Sequence, residues 1–254
     1  MEERLDKLLI QRGLVSTRVR AEHIIRDCGV LVNGKLITKT GKRFPADVEI
    51  VMLEEEIPWV SRGAFKLLRA LEKWNLTVEG QTFMDIGAST GGFTEVLLNN
   101  GASKVFCVDV GKDQLHANIR NNEKVVNLEK THVRELTPKL IDCLVDGCVI
   151  DVSFISLTKV FPFVHSFVKP GGYVIALIKP RFEVGKNNVR KGGIVKDSSL
   201  YPQVIERIKS DGKLNHLTYI DHCDSPILGG DGNREFLMIL HRDGSMTHEY
   251  RVFE

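Results

Sequence analysis

The chain has no long apolar run, no paired-cysteine spacing and almost no net charge, and each absence closes a class of function. No stretch approaches the roughly 20 apolar residues that span a bilayer, so no stable membrane association is expected. The opening MEERLDKLLI is charged and lacks the apolar heart of a secretory signal. Five cysteines (Cys28, Cys107, Cys143, Cys148, Cys223) are odd in number and never spaced C-x-x-C. That disfavours a disulfide framework and a zinc site, and suits a reducing, cytoplasmic compartment. His222-Cys223-Asp224 is the nearest thing to a metal cluster, but neighbours on a strand point to opposite faces, so no metal is expected. Thirty-five Lys and Arg against 33 Asp and Glu leave a formal charge of +2, too little to announce a nucleic-acid partner by itself. Neither G-x-G-x-x-G nor G-x-x-x-x-G-K-[ST] occurs, which disfavours pyrophosphate cradling.

What is present divides the 254 residues into a small module and a larger one. Residues 1–53 carry ten Lys and Arg against seven acids. Leu5, Leu8 and Leu9 predict a helix over 4–12, and Val19, Ile24 and Ile25 another over 17–28. Gly13 and Gly29 follow them, and Ser16 or Thr17 caps the second. VLVNGKLI reads as a hairpin turning at Asn33-Gly34, with a further strand over Asp47–Leu53. The run Glu54-Glu55-Glu56-Ile57-Pro58 makes residues 54–60 a linker, leaving 61–254 as the second domain. That domain opens with the helix SRGAFKLLRALEKWN, its apolar face at Phe65, Leu68 and Leu71. Strands are then expected at 81–88, 104–110, 125–130, 147–154, 172–179, 214–221 and 234–241. Helices are expected at 91–100, 113–121, 157–168 and 198–211. Such alternation means a mostly parallel α/β sheet with helices on both faces. The Gly- and Lys-rich stretch 181–197 is long for a connection and reads as functional or mobile.

The first strand of that sheet ends in Asp85-Ile86-Gly87-Ala88-Ser89-Thr90-Gly91-Gly92-Phe93. A glycine-rich turn between strand and helix lets a ligand approach the backbone at the sheet's carboxyl edge. Asp109 ends the second strand, where an acid accepts both hydroxyls of a ribose. D-x-G-x-x-x-G-G-F-T resembles the S-adenosylmethionine motif of Rossmann-like methyltransferases, in which the leading acid orders the methionine end. A plain turn cap is the competing role for Asp85.

Four more residues fall where chemistry is expected. Lys66 lies in the helix before the sheet, Asp151 and Lys179 end strands at the cofactor edge, and Glu235 opens the last strand. Glu235 reaches that edge if the last strand runs antiparallel. Taken singly, Lys66 is an ordinary solvated lysine, Asp151 a helix cap and Glu235 a partner for the neighbours of Arg234. Together, the K-D-K-E set resembles the FtsJ-like RNA ribose 2′-O-methyltransferases. The N-terminal pattern Arg4-Leu5-Asp6, Leu9, Gly13, Ser16, Arg18, Ala21, Ile25, Gly29, Val30, Val32-Asn33-Gly34 resembles an RNA-binding domain of ribosomal-protein type. Thr17 departs from it, because many such modules place the basic residue directly after Ser16. The two together resemble the TlyA group, described both as rRNA cytidine 2′-O-methyltransferases and as haemolysins, over roughly residues 3–242.

The resemblance implies a Rossmann-like methyltransferase sheet, mostly parallel with its last strand antiparallel, beside a small N-terminal α+β RNA-binding domain. It implies S-adenosyl-L-methionine as cofactor, held by residues 85 and 87–93 with Asp109, Val110 and Val133, and ribosomal RNA within a subunit as substrate. No obligate protein partner is evident. The short N-terminus looks like the branch that modifies the large subunit. A ribose hydroxyl must lose its proton as it attacks, and the sulfonium is already activated, so the protein supplies alignment and one acceptor. Lys179 is the candidate acceptor. Lys66 and the sulfonium favour its neutral form, Asp151 and Glu235 its charged form, so base and electrostatic anchor both stand. Arg4, Lys7, Arg18, Arg20, Lys35 and Arg43 are candidates for phosphate contacts, and the cations of 181–196 for closure over an exposed nucleotide. The rival classes are a protein acting directly on membranes and a catalytically silent RNA binder.

Overall fold

The computed structural model describes residues 2–15, 17–27, 29–53 and 57–244, in two compact units that divide between Val60 and Ser61. Ser16, Cys28 and the acidic linker residues 54–56 lie outside the described residues.

The first unit runs β1 (Glu2–Arg4), α1 (Leu5–Gln11), α2 (Arg18–Asp27), β2 (Val30–Val32), β3 (Lys35–Ile37), β4 (Arg43–Pro45) and β5 (Ile50–Met52). Thr17 caps α2, its Oγ1 accepting the Arg20 N–H at 3.3 Å. The expected hairpin forms, with β2 between β3 and β5, and Asn33 and Gly34 both take the positive φ that a tight turn requires. Leu5, Leu8, Leu9, Ile25, Val30 and Val32 meet in one core. The pairing of β1 with β4 is not apparent from the sequence pattern, because three-residue polar strands joined across some 40 residues carry no period-2 signal.

The second unit begins with α3 (Gly63–Lys73). Its buried face is Ala64, Leu67, Ala70 and Leu71, with Lys66 among them; Phe65 and Leu68, expected on the apolar face, are half-buried. Then follow β6 (Thr82–Ile86), α4 (Gly92–Asn99), β7 (Lys104–Asp109), α5 (Ala117–Arg120), β8 (Val125–Glu129), β9 (Val145–Ile150), α6 (Phe161–Val164), β10 (Val168–Ile178), α7 (Pro180–Glu183), α8 (Tyr201–Leu214), β11 (Leu217–Asp224) and β12 (Phe236–Arg242). The sheet order is β11-β12-β10-β9-β6-β7-β8. Strands β8, β7, β6, β9 and β10 are parallel, and β12 alone runs against both its neighbours. Phe106, Ile150, Phe161 and Met238 lie in its main core, each buried side chain contributing about 1.5–3 kcal/mol.

Two expected helices are shorter than the sequence pattern suggests. The backbone N–H groups of Gln114 and Leu115 donate to the Glu129 carboxylate, so α5 starts only after the His116 cap. The 157–168 segment breaks into a 3-10 turn, the short α6 and a second 3-10 turn, because Pro162 has no N–H and must sit in the first turn of a new helix. Residues 181–197 are not a loose connection: they hold α7, a 3-10 turn over Lys186–Asn188 and a bridge between Val189 and Val195. Among the described residues no helix is long and apolar enough to cross a membrane.

Candidate active site

The carboxyl edge of the sheet is set by three isoleucines. Ile86, Ile150 and Ile178 close β6, β9 and β10, so Gly87, Asp151 and Lys179 emerge side by side. Because β12 is antiparallel and Phe236 pairs with Ile178, Glu235 sits one residue beyond the last rung, across from Lys179. Lys66 comes to the same place from α3, buried on that helix's inner face.

These four side chains form a continuous chain of opposite charges. Lys66 Nζ donates to Glu235 Oε2 at 2.7 Å and lies 3.9 Å from Asp151 Oδ2. The other oxygen of Asp151 lies 2.5 Å from Lys179 Nζ, which also donates to Ser153 Oγ at 3.0 Å. Two cations face two carboxylates, and every member is at least four-fifths buried at its side chain. Buried charges of this kind persist only when paired, as these are. The arrangement replaces the separate roles of solvated lysine, helix cap and loop pair with one shared cluster.

A cleft of about 670 Å³ opens beside this cluster, lined by Gly87, Ser89, Asp109, Val110, Val133 and Asp151 among others. Asp109 Oδ2 accepts the Ser89 N–H at 2.8 Å and Oδ1 the Gly111 N–H at 2.7 Å. A carboxylate has about four lone-pair sites, so capacity remains for two hydroxyls. Val110 is exposed on the cleft wall and offers an apolar face.

The motif residues also hold the loop in shape. Asp85 is fully buried below the loop and accepts from Thr94 Oγ1 at 2.6 Å, while its Oδ1 has no partner. Burial raises its pKa to about 7, against the opposing hydrogen bond from Thr94. An added Cβ on Gly87 would lie 2.3 Å from the Asp151 carbonyl oxygen, so this glycine lets two strand-end loops touch. Gly92 meets Ser61 and Ala64 of the preceding segment in the same way. These two glycines serve chain-to-chain approach, a use the motif reading had not assigned. Ala88 and Phe93 are buried, Gly91 packs against Ile119, and Thr90 accepts the His116 N–H through its carbonyl.

Several site residues escaped the sequence reading. Phe154 has φ +65 and is 88% exposed at the cleft mouth, its ring 5.2 Å from that of Phe182. A bulky residue in the left-handed region is strained, and strain of this kind gathers at functional sites. Glu183 is buried and accepts from Ser156 Oγ at 2.7 Å, the Leu157 N–H at 2.9 Å and Arg207 Nη2 at 2.7 Å. It ties the loop after Asp151 to the turn after Lys179. No local motif marks it, because its partners lie some 25 residues away on either side.

In the first unit the expected phosphate-binding cations are divided. Arg4 makes a two-pronged contact with buried Asp6 and holds that carboxyl below its usual range. Arg18 reaches Asp6 and Glu22, Lys7 lies 3.6 Å from Glu3, and Arg43 donates to the Glu2 carbonyl. Lys35 is exposed on β3 and Arg20 half-buried on α2. A separate hollow of about 520 Å³ is lined by Arg26, Thr38, Lys39, Thr40, Gly41 and Lys42, three cations with no acid, which the sequence reading did not single out.

Known proteins resemble both units. A family model described as FtsJ-like methyltransferase matches residues 59–242, and one described as S4 domain matches residues 3–50. A Mycobacterium tuberculosis relative named 16S/23S rRNA (cytidine-2′-O)-methyltransferase TlyA is 39% identical, covering 93% of this chain and 89% of its own. Hemolysin A of Brachyspira hyodysenteriae is 34% identical, covering 92% of this chain and 98% of its own. The solved structure of a Streptococcus thermophilus protein named as a hemolysin superposes with a TM-score of 0.75 at 37% identity, covering 99% of this chain and 94% of that one.

Proposed function

The chain belongs to the FtsJ-like methyltransferase family and carries an S4 domain, and we propose that it methylates the ribose 2′-hydroxyl of a cytidine in ribosomal RNA with S-adenosyl-L-methionine as donor. The observation that carries this reading is the Glu235–Lys66–Asp151–Lys179 chain at the edge of the cleft. The name of the Mycobacterium relative supports the cytidine and the ribosomal RNA.

The cleft fits the cofactor in three ways: a buried acid with an unpartnered oxygen below the loop, a strand-end carboxylate with spare acceptor capacity, and an exposed Val110 for a flat ring. Gly87, Ser89, Asp109, Val110 and Val133 would hold it. When bound, S-adenosylmethionine supplies a methyl group already activated on a sulfonium sulfur.

The protein's own residues orient the hydroxyl and take its proton. Lys179 Nζ, held beside Asp151 and Ser153, is the group placed to accept that proton. Once Lys179 is protonated, Asp151 at 2.5 Å stabilises the ammonium. Lys66, neutralised by Glu235, faces the second Asp151 oxygen and fixes that carboxylate's orientation. Phe154, projecting from the loop after Asp151, offers a ring face on which the base of an extruded nucleotide stacks.

The test is transfer of radiolabelled methyl from S-adenosylmethionine to purified ribosomal subunits, with the modified nucleotide mapped. Ribose labelling that vanishes with Lys179→Ala is the expected result. Cofactor binding without transfer to either subunit overturns the substrate, and label on a base overturns the hydroxyl chemistry.

A further inference from the structure

Residues 184–196 hold four cations (Lys186, Arg190, Lys191 and Lys196) and no acid. A run of like charge ordinarily stays solvated and extended. Here it folds into a hairpin, with Arg190 N–H donating to the Ile194 carbonyl at 2.8 Å, Lys196 N–H to that of Asn188 at 2.9 Å, and Val189 bridged to Val195. Val195 is buried while all four cations are exposed.

Two anchors fix the hairpin to the catalytic edge. Asn233 is buried; its Oδ1 accepts the Val195 N–H at 3.0 Å and its Nδ2 donates to the Gly193 carbonyl at 2.9 Å. Arg181 packs on the Phe182 ring at 4.8 Å and pairs with Asp231. The Gly193 backbone rests against that guanidinium so closely that an added Cβ would lie 2.6 Å from Arg181 Nη2. Asn233 stands two residues before Glu235 and Arg181 two after Lys179. The segments that supply two members of the charge cluster therefore also set the position of the hairpin.

The hairpin's hydrogen bonds and anchors offset the entropy of ordering it, but the self-repulsion of its exposed like charges is relieved only when an anion meets them. Exposed cations spread along both arms and the tip of a hairpin suit a succession of phosphates better than a single small anion. We infer that this hairpin is a second RNA-contacting surface, which engages the phosphates flanking the target nucleotide, and that Asn233 is the positioning residue that keeps it in register with Glu235. The inference rests on the RNA reading above and adds to it a partner surface on the methyltransferase unit.

The experiment uses the full chain and ribosomal subunits from a strain lacking a methyltransferase of this family. Equilibrium binding is measured from about 50 to about 200 mM salt, alongside methyl transfer to the same subunits. In an Arg190→Ala/Lys191→Ala variant the log–log salt slope falls by about 1.4–1.8, and affinity near physiological salt drops about tenfold. KM for subunits rises by the same factor, with kcat and the affinity for S-adenosylhomocysteine unchanged. Asn233→Ala keeps every cation, yet it raises KM similarly and also lowers kcat, because Glu235 loses its held loop. A double variant with wild-type salt slope and KM overturns the inference, as does an Asn233→Ala variant that alters thermal stability alone. The slope needs no catalysis, so a wild type that binds with this salt dependence but transfers no methyl overturns the proposed reaction and leaves the hairpin standing.

Discussion

Replacing Asp85 with Asn separates what this residue does for stability from what it does for the cofactor. Burial raises its pKa from 3.8 to about 7, and at 1.36 kcal/mol per unit the ionised form carries a penalty of about 4 kcal/mol. Below the unfolded value the carboxyl is neutral in both states and nothing is lost. As pH rises from there toward 7 the unfolded chain releases its proton while the folded chain keeps it, so stability declines; above 7 the full penalty stands. The penalty is therefore about 2 kcal/mol at pH 5 and about 4 kcal/mol at pH 8. Asn is neutral throughout. Its carbonyl keeps the Thr94 bond, and its amide group replaces the unpartnered Oδ1 at a constant cost of about 1–3 kcal/mol.

The constant cost cancels in the comparison that matters. Between pH 5 and pH 8 the stability of Asp85→Asn relative to wild type improves by about 2–3 kcal/mol. Urea unfolding of the full chain at the two pH values reads this as a relative midpoint shift of about 0.5–1 M. A variant whose deficit is equal at both values would mean that Asp85 buries no charge, and the reasoning would fail. Calorimetry with S-adenosylhomocysteine runs alongside, with affinity expected to fall at least about tenfold as the acid's charge is lost. A stabilised variant that binds less well is the signature of a residue kept ionised for its ligand.

Gly87→Ala places a methyl group against the Asp151 carbonyl and forces φ +85 on an L-residue, so a loss of about 2–4 kcal/mol by urea unfolding and of about 100-fold in kcat is expected. Full activity would mean that the two loops move apart freely. Phe154→Ala leaves the unfolding free energy within about 0.5 kcal/mol, because the ring is exposed, yet costs about 1–3 kcal/mol in kcat/KM for RNA. Unchanged kcat/KM would refute the stacking role. Glu183→Gln leaves Arg207 and the Leu157 N–H facing an amide in place of a buried carboxylate, for about 2–3 kcal/mol of stability and a lower kcat at unchanged affinity for S-adenosylhomocysteine. A fall in stability alone would reduce Glu183 to a structural brace.

The strands of the edge were legible because a buried parallel strand announces itself locally as an apolar run, although the expected strands at 81–88 and 147–154 overrun the observed ends at Ile86 and Ile150. Whatever follows such a run is at the carboxyl edge by topology alone, and this brought Asp151 and Lys179 into view without a contact map. Features that depend on partners distant in sequence were not legible. Glu183 gains meaning only when Ser156 and Arg207 converge on it, and the shortened α5 only when Glu129 takes two N–H groups that the helix would have used. A glycine-rich turn signals close approach, but local pattern does not say what approaches, and at Gly87 and Gly92 the chain itself comes close as well. The hairpin at 184–196 fails for the opposite reason. Its composition is that of a loose, solvated segment, and its order depends on anchors outside it, Arg181 and the buried amide of Asn233, the latter nearly 40 residues further along. Composition states the charge of a segment, but only a tertiary anchor decides whether that charge is held in one place, and a charge held in place can select a register on RNA where a mobile one adds affinity alone.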